Sequence, residues 1–124
     1  MPKKIMIVDD ERNIVTALEF LLQRSGYEVR VANNGEDALK QLESFVPDLL
    51  LLDVMMPAIN GYEVCQTVRQ SAQLRHVKII MLTARGRDAD VAKGLALGAD
   101  AYITKPFANA DLLTKVKDML DGSP

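Results

Sequence analysis

Five short apolar runs punctuate the chain: Ile5 to Val8, Glu28 to Ala32, Leu49 to Leu52, Ile79 to Leu82 and Ala101 to Ile103. Each is too short for a helix, and most are rich in β-branched residues or leucine, which predicts strands. Apolar residues at consecutive positions suit strands covered on both faces, as in a parallel sheet. Only Glu28 to Ala32 alternates, which fits a half-exposed edge strand.

Between the runs the period becomes helical. Ile14, Leu18, Leu21 and Leu22 fall on one face of a first helix, and Leu112, Val116, Met119 and Leu120 repeat the spacing in a last one. Ala38, Leu42 and Phe45 mark a second helix with Asn34 as its N-cap, and Val64 and Val68 a third, entered through Asn60-Gly61. The fourth is weaker, with Val91 and Leu95 on one face and Gly94 inside it, where a glycine costs about 0.5–1 kcal/mol relative to alanine. Gly26 and Gly98 stand where helices would stop. Five strands alternating with five helices predict an α/β protein, a doubly wound parallel sheet with helices on both faces and right-handed crossovers.

Function in such a sheet lies beyond the carboxyl ends of the strands. Asp9, Asp10 and Glu11 follow the first strand, Asp53 the third, Thr83 and Ala84 the fourth, and Thr104, Lys105 and Pro106 the fifth. Carboxylates, a hydroxyl and an ammonium therefore converge on one edge. Carboxylates held close repel one another unless a cation sits among them. A hard divalent ion such as Mg²⁺, bound by one or two carboxylates plus phosphate oxygens, is the natural answer. Lys105 can pair with a carboxylate at rest and reach an arriving phosphate later.

Composition narrows the classes. The chain has 124 residues, 48% of them hydrophobic, which fits one domain with its own core. Residues 1–121 are expected to form it, with 122–124 a tail or linker remnant. Fifteen Lys+Arg against 17 Asp+Glu give a net charge of -2, which argues against direct nucleic-acid binding by this domain. No apolar run nears the ~20 residues of a membrane span. Cys65 is the only cysteine, so no internal disulfide forms and a reducing, cytoplasmic setting is expected. Cys65 reads as a small hydrophobe and His76, the sole histidine, as a surface residue.

Four motifs carry a resemblance: Ile7-Val8-Asp9-Asp10-Glu11, Leu52-Asp53-Val54-Met55-Met56-Pro57, Leu82-Thr83-Ala84-Arg85, and Gly98 through Phe107 (GADAYITKPF). In this order, at these strand ends, they make the chain resemble the receiver domain of bacterial two-component response regulators. The resemblance implies a flavodoxin-like, chemotaxis-regulator-like sheet in the order 2-1-3-4-5. It implies that Asp53 takes a phosphoryl group from a phosphohistidine on a sensor histidine kinase or a phosphotransfer protein. Asp10, Asp53 and the Met55 carbonyl would ligate Mg²⁺, with Asp9 helping through water. Thr83 and the Ala84 N–H would bond the phosphoryl group, Lys105 would pair with it, and the Lys105–Pro106 bond would be cis. Glu11 would either tune the metal site or supply a favourable charge to the first helix. Thr83 and Tyr102 would form a switch acting on the fourth helix, fifth strand and fifth helix, a face expected to contact an output partner or a second copy of the chain. Such a domain is not a conventional enzyme. It catalyses its own phosphorylation and its own dephosphorylation, the latter expected to be slow because Met55 and Arg85, which in the family flank the water's approach, offer no acid or amide.

Three other classes fit less well. A flavin- or nucleotide-binding protein needs a phosphate-cradling loop where Asp9-Asp10-Glu11 stands. An aspartate-nucleophile phosphatase needs a second acid, and Val54 and Met55 offer none. A docking-only pseudo-receiver would lack one of Asp10, Asp53, Thr83 or Lys105.

Overall fold

A computed structural model describes residues 2–84 and 87–121. Arg85, in the third motif, and the expected tail at 122–124 lie outside the described residues. The elements are β1 (Lys4–Val8), α1 (Arg12–Arg24), β2 (Glu28–Ala32), α2 (Gly35–Gln41), β3 (Leu49–Asp53), α3 (Gly61–Gln70), β4 (Lys78–Ala84), α4 (Asp88–Ala96), β5 (Ala101–Lys105) and α5 (Asn109–Leu120). All strand pairs are parallel, in the order β2-β1-β3-β4-β5. The parallel sheet with β2 at its edge is as the apolar pattern predicts, and its flavodoxin-like order is as the resemblance implies.

Alternation within the strands feeds two cores. Ile5, Ile7, Leu49, Leu51, Ile80 and Leu82 face Val15, Leu18 and Leu22 of α1 and Leu112 and Val116 of α5. Met6, Val8, Leu50, Leu52, Ile79 and Met81 face Ala38 of α2 and Val64, Cys65 and Val68 of α3. The four leucines of β3 are fully buried, because this central strand is covered on both sides. Cys65 is buried as a hydrophobe and His76 is exposed.

The helix starts follow the sequence. Asn34 accepts from the Asp37 N–H at 2.7 Å, and Asn60 and Glu63 form a reciprocal capping box at the start of α3. Gly26 and Gly98 end α1 and α4 with φ of 97° and 113°, a region costly for residues with a Cβ. Arg69 fastens the opposite end of the sheet, donating to the carbonyls of Gly98, Arg75 and Val77 and pairing with Asp100 at 2.9 Å.

Three expectations need correction. Phe45 is buried in the core but lies beyond α2, which ends at Gln41. The chain continues there in tight turns, with the Glu43 N–H on the Lys40 carbonyl and the Ser44 N–H on the Gln41 carbonyl, so Phe45 reaches the core without a helix. In α4, Leu95 is 44% exposed and Gly94 is the buried residue. The helix is rolled so that Gly94 faces Met81 and Tyr62, where an added Cβ would make ordinary van der Waals contact with both side chains. Finally, β3, β4 and β5 run further than their apolar runs, through Asp53, Ala84 and Lys105. Asp53 pairs with Leu82, Thr83 with Thr104 and Ala84 with Lys105. Asp53, Thr83 and Lys105 therefore stand on paired backbone rather than on loops.

Candidate functional site

Asp53 is the last residue of β3 and only 5% exposed. Its backbone is pressed by α3, since a Cβ on Gly61 would meet the Asp53 carbonyl oxygen at 2.4 Å. Its carboxylate Oδ1 accepts a long hydrogen bond from the Met55 N–H at 3.4 Å. Asp9, just past β1, is fully buried, and its carboxylate accepts from the Glu11 N–H at 2.9 Å. Asp10 beside it is exposed.

Lys105, at the end of β5, closes the group. Its Nζ lies 2.9 Å from Asp9, 2.8 Å from Glu11 and 3.5 Å from Asp53. The bond from Lys105 to Pro106 is cis, as the resemblance implies. Burial opposes the ammonium form, but the hydrogen bonds to Asp9 and Glu11 and the charges of Asp53 and Asp9 outweigh it and raise the Lys105 pKa. Burial and then the Asp9 charge push Asp53 up from 3.8 to about 7, against the pull of Lys105 and the Met55 N–H.

Four carboxyl groups, of Asp9, Asp10, Glu11 and Asp53, thus gather around a single ammonium. One oxygen from each of Asp9, Asp10 and Asp53 lies within 4.8 Å of the others. Hard oxygen donors in an acidic pocket with too little positive charge fit a Mg²⁺ ion. Thr83, 2% exposed on β4, has a buried Oγ1 with no hydrogen-bond partner among the described residues. A buried hydroxyl left unpaired costs about 1–3 kcal/mol.

A pH dependence follows. The unfolded chain releases the Asp53 proton near 3.8, whereas the folded domain holds it to about 7. Folding takes up a proton between these values, so stability falls as pH rises through that window and levels off above it. In chelator, urea unfolding is expected to show a loss of about 4 kcal/mol from this group across the window. The slope should shrink in Asp53→Asn and with Mg²⁺ present. A wild-type slope unchanged by either would remove Asp53 as its source.

Asp9, Asp10, Glu11, Asp53, Thr83 and Lys105 come to the same end of the sheet. Ala84 follows Thr83 there at the exposed end of β4. Tyr102 pairs with Met81, two positions before Thr83, and is 41% exposed with the Lys115 ammonium 5.8 Å from its ring. Glu11 is the N-cap residue of α1 without a side-chain cap bond, and its carboxylate holds Lys105. One contact with no sign in the residue pattern joins α3 to α4: the Tyr62 hydroxyl donates to the Asp90 carbonyl at 3.2 Å, and Lys93 sits 4.5 Å from the Tyr62 ring.

Residues 5–117 match the family model of the response regulator receiver domain. The chain belongs to that family. This receiver domain is 49% identical over 123 residues to the alkaline phosphatase synthesis transcriptional regulatory protein PhoP of Bacillus subtilis, an alignment covering 99% of the chain and 50% of PhoP. The chain thus spans about half of that relative's length. Among solved structures it resembles the chemotaxis response regulator CheY4 of Vibrio cholerae, at 32% identity and a TM-score of 0.91 over 97% of this chain and 100% of that one. It also resembles DrrB, an OmpR/PhoB homologue of Thermotoga maritima, at 36% identity and a TM-score of 0.88 over 98% of this chain and 54% of that one. Receiver domains are the signalling domains of two-component systems and not conventional enzymes. No described helix is long and apolar enough to cross a membrane.

Proposed function

We propose that this receiver domain accepts a phosphoryl group on Asp53 from a phosphohistidine of a sensor histidine kinase or phosphotransfer protein, in the cytoplasm. The observation that carries the reading is a nearly buried Asp53 carboxylate facing the Lys105 ammonium, with the unpartnered Thr83 hydroxyl on the next strand. Asp10, Asp53 and the Met55 backbone carbonyl would hold Mg²⁺, with Asp9 acting through water, and the bound ion would supply charge neutralisation at the phosphoryl oxygens.

The chain's own groups do the rest. An Asp53 oxygen, free of its proton, bonds to phosphorus as the N–P bond of the donor breaks. Lys105 exchanges part of its pairing with Asp9 and Glu11 for a phosphoryl oxygen, so positive charge is in place before transfer begins. The Ala84 N–H and the Thr83 hydroxyl bond the other oxygens. Catalysis is positioning and electrostatics, supported by the paired backbone under each group. The direct test is intact mass after treatment with Mg²⁺ and a small acyl phosphate. One added phosphoryl group is expected, and none without the ion.

Thr83 would also start the switch. Drawn to the phosphoryl group, it leaves space that the half-exposed Tyr102 ring enters, and the face formed by α4, β5 and α5 changes for an output partner. Leu95 and Tyr102 already stand exposed there beside mixed charges, which suits a phosphorylation-dependent contact with a second copy. The functional unit in this reading is residues 1–121, with no nucleic-acid contact of its own. Thr83→Val removes an unpaired hydroxyl at nearly constant shape. Its resting stability is expected to equal or exceed wild type by about 1 kcal/mol, while Tyr102 fluorescence no longer responds to beryllofluoride. A full response in that variant would remove Thr83 from the switch.

A further inference from the structure

Methionine is an apolar side chain that a mild oxidant turns polar, and the change is enzymatically reversible. Of the five methionines among the described residues, Met6, Met56 and Met81 are 0%, 7% and 1% exposed, and Met119 of α5 is partly buried against the core. Met55 is 58% exposed. Its backbone is nonetheless held. Val54 and Met56 on either side are buried, the Val54 N–H donates to the Leu82 carbonyl at 3.2 Å, and the Val54 carbonyl accepts from the Gly61 N–H at 3.0 Å. The Met55 N–H itself points at Asp53 Oδ1. An accessible thioether is therefore carried on a fixed segment at the rim of the acidic pocket, two residues from the carboxylate.

We propose that Met55 is a site of reversible oxidation by hydroperoxides, and that its sulfoxide shortens the life of the phosphoryl group on Asp53. The second half rests on the phosphoacceptor reading above. With hydrogen peroxide the S–O bond forms as the O–O bond breaks. Sulfur gives up two electrons, the hydroxyl proton passes to the departing hydroxide, and water leaves. Thiol-dependent sulfoxide reduction reverses the change. A thioether sulfur is a weak hydrogen-bond acceptor, and a sulfoxide oxygen is a strong one. Hydrolysis of an aspartyl phosphate needs a water held near phosphorus, and an acceptor at the rim orients that water. The oxidised domain would thus lose its signal faster without any change to Asp53, Thr83 or Lys105.

The full chain would be treated with graded hydrogen peroxide and its peptides weighed. In parallel, protein phosphorylated by a small acyl phosphate with Mg²⁺ would be freed of donor, and decay of the label followed before and after oxidation. The Met55 peptide is expected to gain one oxygen ahead of those holding Met6, Met81 and Met119, with fragmentation separating Met55 from Met56. The label should decay severalfold faster in the oxidised protein. Met55→Gln should decay fast without oxidant, and the decay of Met55→Leu should not respond to peroxide. Earlier oxidation of Met6, Met56, Met81 or Met119, or equal decay before and after treatment, overturns the proposal. A native protein that never takes the label overturns the phosphoacceptor reading and the lifetime claim with it, while the order of methionine oxidation is still read on its own.

Discussion

Asp53→Asn is expected to take up no phosphoryl group from an acyl phosphate and Mg²⁺, where the wild type takes one. The amide keeps the size of the carboxyl group but has neither its charge nor its nucleophilic oxygen. Asp9 cannot stand in, because it is fully buried and both its oxygens are occupied, by the Glu11 N–H and by Lys105. Asp10 is exposed, where water competes for any donor. The same variant should unfold at higher urea than wild type at neutral pH, since it removes a buried carboxylate that its neighbours push up to about 7. Intact mass and a denaturation curve read the two effects. Labelling of Asp53→Asn at the wild-type level would mean that another side chain is the acceptor.

Lys105→Ala is expected to act on stability and chemistry together. The ammonium is the one cation within ion-pair distance of Asp9 and Asp53 among the described residues. Removing it strands a fully buried carboxylate, a change that typically costs about 3–5 kcal/mol. Water entering the space left by the stem lowers the cost, and added Mg²⁺ should return part of it. With Mg²⁺ present, phosphorylation of the folded variant should slow about 100-fold or more, the usual penalty for losing a preorganised charge contact. Stopped labelling with acyl phosphate measures the rate. A rate within a few-fold of wild type would show that Lys105 does not meet the transferred group.

Much of this was readable before folding, for a physical reason. A strand buried on both faces must be apolar at every position, so β1, β3 and β4 announce themselves, and a parallel sheet then gathers their carboxyl ends. Asn34, Asn60, Gly26 and Gly98 are local signals, each acting within a few residues of itself. What could not be read depends on contacts between distant segments. Lys105 meets Glu11 across 94 positions of chain, and nothing near either residue encodes the pairing. Apolar spacing put Leu95 inward, but a glycine can be buried without being hydrophobic, and Gly94 lies inward instead. Phe45 kept helical spacing through turns that are not a helix. The unpaired state of the Thr83 hydroxyl is a property of its surroundings and leaves no mark in the residue's name.

Gly61 bears on how such a domain can diverge. The start of α3 is set against the Asp53 and Val54 backbone so closely that any Cβ there would displace the reacting strand. The outward positions of the same helix, such as Glu63, Gln66 and Thr67, are exposed and meet no such limit. Descendant copies could therefore rewrite the α3 surface to suit new neighbours while its first position stays closed to every side chain. The chemistry and the social life of the domain would evolve on opposite sides of one helix.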